Sequence, residues 1–143
     1  MTTLTVWIGA GFILFLKMLA LSFVQAFYRV RYRRYTRADD AKFFGKGAEV
    51  STSEHPVSER AGNAWRNDLE NIPMFLILAL GHVMAGASLT MVSVFCGAFV
   101  AARVTHTLAY LRPTQPLRNI AYQLGILSIL GVGIHALILS LAQ

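Results

Sequence analysis

The stretch ERAGNAWRNDLENIPMF, residues 59–75, joins a dense polar cluster directly to an apolar segment. Residues three and four positions apart share one face of a helix, so Arg66, Asn67 and Glu70 are able to project toward one partner. Polar groups at the entrance of a membrane-length helix are costly unless they bind a ligand or pair with one another. Two interpretations stay open, a solvated first turn that anchors the helix at the interface and a binding site. The density of charges and amides favours the site.

The composition indicates a membrane protein. Of the 143 residues, 55% are hydrophobic and 14% are charged, which is apolar for a soluble domain. A helix needs about 20 apolar residues to cross the hydrocarbon core. Four continuously apolar stretches approach that length, at residues 4–28, 69–87, 89–111 and 117–141. We therefore predict an all-α integral membrane protein, a four-helix bundle that forms one domain over residues 1–143.

The distribution of positive charge predicts the topology. The first connection, residues 29–66, carries nine of the thirteen Lys and Arg residues, whereas the second, around residues 86–90, carries none. The third, residues 112–116, carries Arg112. Because positive connections favour the cytoplasmic side, the first and third connections are expected there, with both termini on the other side. The net charge of +6 is thus interpreted as membrane topology, and no motif for nucleic-acid binding accompanies it. Residues 4–28 are interpreted as a retained helix and not as a cleaved signal peptide.

The third predicted helix carries polar side chains inside its apolar run. Arg103, His106 and Tyr110 share one helical face. An arginine in a membrane span must find an anion or carbonyl groups, so a structural ion pair with Asp68 or Glu70 remains an alternative to a role in ligand binding. The three residues together favour the ligand-binding interpretation.

The fourth predicted helix begins with a similar group. Arg118, Asn119 and Tyr122 bring a guanidinium, an amide and a phenol to its start, although an interfacial anchor would use the same residue types. No HExxH or CxxC pattern is present, so no metal site is predicted. The lone Cys96 is interpreted as a small buried hydrophobic residue. These residues alone predict an anionic, zwitterionic ligand at the cytoplasmic end of the helices.

Four segments resemble the MAPEG family, the membrane-associated proteins in eicosanoid and glutathione metabolism. ERAGNAWRNDLENI at residues 59–72 is similar to the family pattern ERxxxAxxNDxENI. The supporting segments are RVTHTLAYL at residues 103–111, PLRNIAY at residues 116–122 and FLKM at residues 15–18. The resemblance covers nearly the whole chain and is strongest toward the glutathione transferase and prostaglandin E synthase branches.

The resemblance implies a homotrimer with glutathione, the co-substrate, bound between neighbouring subunits. It implies that Arg118 favours the thiolate and that Asn119 lies beside it. Some members carry at the position of Asn119 a serine proposed to help activate the thiol, and an asparagine offers a hydrogen-bond donor but no hydroxyl. The glutathione-binding residues implied are Arg29, Arg66, Asn67, Glu70, His106, Tyr110, Arg118 and Tyr122.

The activity implied is that of a glutathione transferase or peroxidase, a detoxification enzyme that acts on hydrophobic electrophiles entering from membrane lipid. One alternative is a glutathione-dependent lipid isomerase of the prostaglandin E synthase type. Another is a non-catalytic lipid-binding scaffold. The Arg66, Asn67 and Glu70 set argues against the scaffold, because a scaffold needs no thiol-ligand chemistry.

Overall fold

The computed structural model describes residues 1–142, and its regular secondary structure there is entirely helical. This confirms the predicted all-α class. Within residues 1–142 the five helices are α1 Thr3–Tyr32, α2 Ala38–Phe43, α3 Pro56–Met84, α4 Leu89–Leu111 and α5 Gln115–Leu141. Three of these helices, α1, α4 and α5, are long and apolar enough to cross a membrane.

The long basic connection is shorter than the sequence predicts. Helix α1 continues to Tyr32, a short helix α2 follows, and α3 begins at Pro56, so residues 29–66 are not one loop. The predicted start at residue 69 marks where the apolar run begins, whereas a helix starts where its backbone is capped. The His55 ring accepts a hydrogen bond from the Val57 amide at 3.2 Å, and proline suits the first helical position. The first three turns of α3 are therefore polar helix.

The segment between α1 and α3 is fixed in place by its own contacts. Arg33 ends α1 in the left-handed conformation, with φ of 51°, and its side chain donates to the Gly45 carbonyl at 2.7 Å. The Tyr35 side chain is buried, and the Ser51 amide donates to the Tyr35 carbonyl at 2.7 Å. These bonds fold the basic segment back on itself at the end of α1.

Helices α3 and α4 form the centre of the bundle, because each packs against both α1 and α5. The Phe75 and Phe99 rings stack at the core with centroids 3.9 Å apart, and both are fully buried. The outer faces of α1 and α5 are apolar, with exposed side chains such as Phe12 and Ile134, as suits contact with lipid. Buried polar side chains of α3 and α4, Asp68 and Arg103, meet inside the bundle.

Candidate functional site

A buried ion cluster joins α1, α3 and α4. Asp68 accepts hydrogen bonds on one oxygen from Arg103, at 3.1 Å from Nε and 2.5 Å from Nη2. Its other oxygen pairs with Lys17. Lys17 also donates to the Thr107 hydroxyl at 2.9 Å, and Arg103 Nη2 donates to Asn67 Oδ1 at 2.7 Å. Asp68 and Arg103 are both 0% exposed, so the central ion pair is fully buried, while Lys17 and Asn67 at its edges are half-buried.

The cluster resolves one of the alternatives that the sequence left open. The anion that pairs with Arg103 is Asp68, while Glu70 is exposed on the surface of α3. Asp68 lies on the buried stripe of α3 that also contains Ala61, Ala64 and Phe75, and that helical spacing was a sequence signal for its burial. With two cations and one carboxylate, the cluster carries one excess positive charge.

A second group gathers four of the predicted glutathione-binding residues. The His106 and Tyr110 rings meet edge to face at 5.3 Å, and the Tyr122 ring centroid is 6.1 Å from that of His106. The Arg118 guanidinium lies 4.7 Å from the Tyr110 ring centroid and donates to Gln115 Oε1 at 2.5 Å. His106 is 2% exposed, and its Nδ1 is buried without a hydrogen-bond partner among the described residues.

The remaining residues of the predicted set lie further out. Arg66 is exposed and donates to Asn63 Oδ1 at 2.5 Å. Glu70 and Asn119 are also exposed in the single chain. Asn67 is half-buried and links this outer group to the ion cluster through its bond with Arg103. The fold thus leaves part of the predicted set on an outer surface of the subunit.

Arg29 is held by a residue that the sequence reasoning missed. Its Nη2 lies 2.6 Å from Glu54 Oε1, and the Ser58 hydroxyl donates to the other Glu54 oxygen at 2.5 Å. Partial burial acts to raise the pKa of Glu54, but the hydrogen bonds from Arg29 and Ser58 and the nearby arginine charges hold that pKa below its ordinary value. No sequence periodicity connects positions 29 and 54, so only the fold reveals the pair.

A histidine pair includes His82, which lies roughly 21 Å along α3 from Asp68 at 1.5 Å per residue. His82 Nε2 and His135 Nδ1 are 2.7 Å apart, and His82 also meets the Phe95 ring edge to face. Residues 1–142 contain no group of three or more potential metal-ligating side chains, and Cys96 is a buried free thiol. The histidine pair is thus separate from the ion cluster around Asp68.

Comparison with known proteins identifies the family. The model of the MAPEG family matches residues 7–138. Microsomal glutathione S-transferase 1 of Sus scrofa is 39% identical over 114 residues, which cover 76% of this chain and 72% of the relative. The Homo sapiens protein of that name is 36% identical over 112 residues, with the same coverage. Prostaglandin E synthase of Homo sapiens is 31% identical over 113 residues, covering 78% of this chain and 73% of the relative. This match and the three apolar helices show that the chain is an integral membrane protein of the MAPEG family.

Proposed function

We propose that this protein is a membrane-bound glutathione transferase or peroxidase, which activates the thiolate of glutathione for attack on hydrophobic electrophiles. The observation that carries this proposal is the 36–39% identity to proteins named microsomal glutathione S-transferase 1 over about three quarters of the chain. The prostaglandin E synthases are more distant, at 31–32% sequence identity. The arrangement of polar side chains fits the same activity.

The predicted glutathione-binding set as a whole has the chemistry that the tripeptide needs. Arginine side chains bind carboxylates with two parallel hydrogen bonds, and Arg29, Arg66 and Arg118 supply three guanidinium groups. Glu70 is the acid that takes the ammonium group of the tripeptide. His106, Tyr110 and Tyr122, together with Asn67, complete the proposed glutathione-binding site.

Arg118 is the residue that favours the reactive thiolate. It lies in the first turn of α5, which begins at Gln115, and the positive end of the helix dipole favours an anion there. A thiol with a pKa of about 8.5 must be shifted down by about 1.5–2 units to be mostly ionised at neutral pH, which corresponds to about 2–3 kcal/mol. One positioned cation in a partly dry site supplies that amount, and the Asn119 amide adds a hydrogen-bond donor.

The reaction then has two bond changes at the electrophile. The thiol loses its proton to water, and the sulfur forms a bond to the electrophilic carbon while the leaving group departs with its electron pair. With a chlorinated nitrobenzene the products are the glutathione conjugate and chloride. No residue of the protein becomes covalently modified.

The active unit proposed is a homotrimer of subunits that cross the membrane four times, through α1, α3, α4 and α5. Its support is the exposure of Arg66, Glu70 and Asn119 in the single chain, which a neighbouring subunit would enclose. The basic segment after α1 favours a cytoplasmic position for the site. Native mass spectrometry in mild detergent should give the trimer mass. Single cysteines at Lys46 and Ala87, introduced in a cysteine-free background, should label from opposite sides of the membrane.

Turnover assays test the activity itself. We expect the purified protein to conjugate glutathione to 1-chloro-2,4-dinitrobenzene and to reduce a lipid hydroperoxide at the expense of glutathione. Binding of glutathione in isothermal titration without any turnover would contradict the proposal and support a non-catalytic member.

A second candidate is a glutathione-dependent lipid isomerase, favoured by the 31% identity to prostaglandin E synthase. Conversion of a prostaglandin endoperoxide at a rate far above that with the chlorinated substrate would favour this second function. The glutathione site would be the same in both cases, since the thiolate attacks in both.

A further inference from the structure

The end of α1 joins a lipid-facing surface directly to a basic one. Phe23, Phe27 and Val30 are exposed and, at intervals of four and three residues, share one face of the helix. Together with Ala26 and Arg31 they line an open groove along the last turns of α1. Because hydrocarbon meets apolar side chains and basic side chains reach the headgroups, the border between the two layers falls near Arg31. A cation thus stands at the headgroup end of an apolar groove.

The segment that follows this groove is strongly positive. Residues 29–46 contain seven arginine and lysine residues against two aspartates, a net charge of +5, close to the +6 of the whole chain. Six of the seven cations are exposed and form what we term the basic collar, namely Arg31, Arg33, Arg34, Arg37, Lys42 and Lys46. Within residues 1–142, none of these six forms an ion pair with a carboxylate. Cations that the fold gathers without counter-ions attract an anionic partner.

The fold holds the basic collar beside the end of α1. The Arg33 guanidinium donates to the Gly45 carbonyl at 2.7 Å, which ties the two ends of the segment together. Phe44 lines a small cavity that Ala26 and Val30 of α1 also line, and both of these α1 residues belong to the apolar groove as well. The collar is therefore fixed at the level where the lipid-facing surface of α1 ends.

Two exposed aromatic rings indicate that this region lies in the membrane interface. Phe43 is 80% exposed and Phe44 is 58% exposed, and Lys42 and Lys46 flank them in the sequence. Soluble surfaces rarely leave such neighbouring apolar rings in water. Rings among lysine residues are typical of a segment in the interface plane, with the rings among the upper acyl chains and the ammonium groups at the phosphates.

We propose that the basic collar binds the phosphate groups of anionic phospholipids, while an acyl chain of one such lipid lies in the groove of α1. Clusters of four to eight basic residues at the end of a spanning helix recognise anionic headgroups, and a guanidinium suits phosphate oxygens. A zwitterionic headgroup would bring its own cation to a surface of net charge +5, so lipids with a net negative charge are preferred. This binding is independent of the proposed glutathione activity.

Native mass spectrometry of the delipidated, assembled protein in mild detergent tests the proposal. The probes are dioleoylphosphatidylglycerol and dioleoylphosphatidylcholine, which share their acyl chains and differ in headgroup charge. A basic residue near an anionic headgroup contributes about fivefold in affinity. With two or three cations engaged, we expect the wild type to prefer phosphatidylglycerol by about 25- to 125-fold. The triple variant Arg31→Gln, Arg34→Gln, Arg37→Gln should bind the two lipids within about threefold of each other.

Matched variants separate the charge of the collar from other effects. Replacing the same three arginines by lysine keeps the charge and should keep most of the preference, and added salt should weaken the preference. Arg34→Gln alone should lower it about fivefold. Arg112→Gln removes one exposed arginine from the connection between α4 and α5 and should leave the preference unchanged.

A fluorophore at position 43 tests the interfacial placement in lipid vesicles. The label is attached to Phe43→Cys in a Cys96→Ala background, and Ala38→Cys is the control, since position 38 is exposed and lies about 140° around α2 from position 43. A nitroxide near the top of the acyl chains should quench the label at position 43. Aqueous iodide should quench the label at position 38.

Several outcomes would overturn the proposal. Equal affinity of the wild type for the two lipids would remove the headgroup preference. Equal losses in Arg34→Gln and Arg112→Gln would show that the preference is not located at the collar, and its loss in the triple lysine variant would show that charge does not carry it. A label at position 43 that is quenched by iodide alone would face water. Shielding of that label from both quenchers would mean that another subunit covers the segment.

Discussion

Replacing Asp68 by asparagine tests whether the bundle depends on its buried ion cluster. Asp68 is 0% exposed and accepts hydrogen bonds from both Lys17 and Arg103. The variant keeps the size of the side chain but removes its charge, so two buried cations lose their only counter-ion in the cluster. Breaking a buried pair by removing one partner costs about 3–5 kcal/mol. At about 2–4 °C per kcal/mol for a chain of this size class, the unfolding midpoint should fall by roughly 6–20 °C.

The assay is thermal unfolding in mild detergent, followed by far-ultraviolet circular dichroism and by the loss of the assembled form. Glu49→Gln is the matched control, since it removes an exposed carboxylate in the connection between α2 and α3, and surface changes usually stay within about 0.5 kcal/mol. A triple replacement of Lys17, Asp68 and Arg103 by leucine should recover most of the loss, because apolar packing replaces a buried ion cluster at little cost. Equal midpoints for Asp68→Asn and Glu49→Gln would refute the reasoning.

Three further predictions concern single residues of the site. Arg118→Ala should lower the rate of glutathione conjugation about 30- to 150-fold at neutral pH, equivalent to about 2–3 kcal/mol of lost thiolate stabilisation. In a pH–rate profile this rate deficit should shrink above the pKa of the free thiol. An equal rate deficit at pH 7 and pH 9.5 would reject this role of Arg118. Glu70→Gln should weaken glutathione binding in isothermal titration by about 2–5 kcal/mol, the typical effect of losing one partner of a desolvated charge pair, and unchanged affinity in a folded assembly would argue against its contact with the ammonium. Glu54→Gln should lower the free energy of unfolding by at most about 1 kcal/mol at pH 7, since its partner Arg29 is partly exposed. The pKa of Glu54 is lowered in the folded protein, so the stability difference between wild type and variant is fully present above the ordinary carboxyl pKa of about 4.3. The difference is lost as the pH falls through the pKa of folded Glu54. A stability difference that grows in acid would contradict the pairing.

The family pattern and the helical class were accessible from the sequence, because both are local properties. Apolar runs without alternation predict helices, and the range predicted for the third membrane helix, residues 89–111, coincides with α4. The start of α3 was not accessible in this way. Hydropathy detects where a helix becomes apolar, whereas Pro56 and the His55 cap set where it begins, and the two differ by thirteen residues.

The gathering of His106, Tyr110, Arg118 and Tyr122 was predicted in part. Spacing places the first two on one face of α4 and the last two on one face of α5. That the two faces meet is a fact of packing, seen in the 6.1 Å approach of the His106 and Tyr122 rings. Only the fold reveals the Arg29–Glu54 pair, since the 24 intervening positions carry no pattern that joins the two residues.

The choice between two acids shows what the tertiary structure alone decided. The sequence offered Asp68 and Glu70 as equal partners for Arg103, and two residues apart they point about 200° away from each other around a helix. With Phe75 stacked on Phe99 in the core, the rotation of α3 turns inward the face that carries both Phe75 and Asp68. That rotation places Asp68 inside, between Lys17 and Arg103, and leaves Glu70 on the surface. Sequence determined which charges exist, and helix packing determined which of them neutralise one another and which remain available to a ligand.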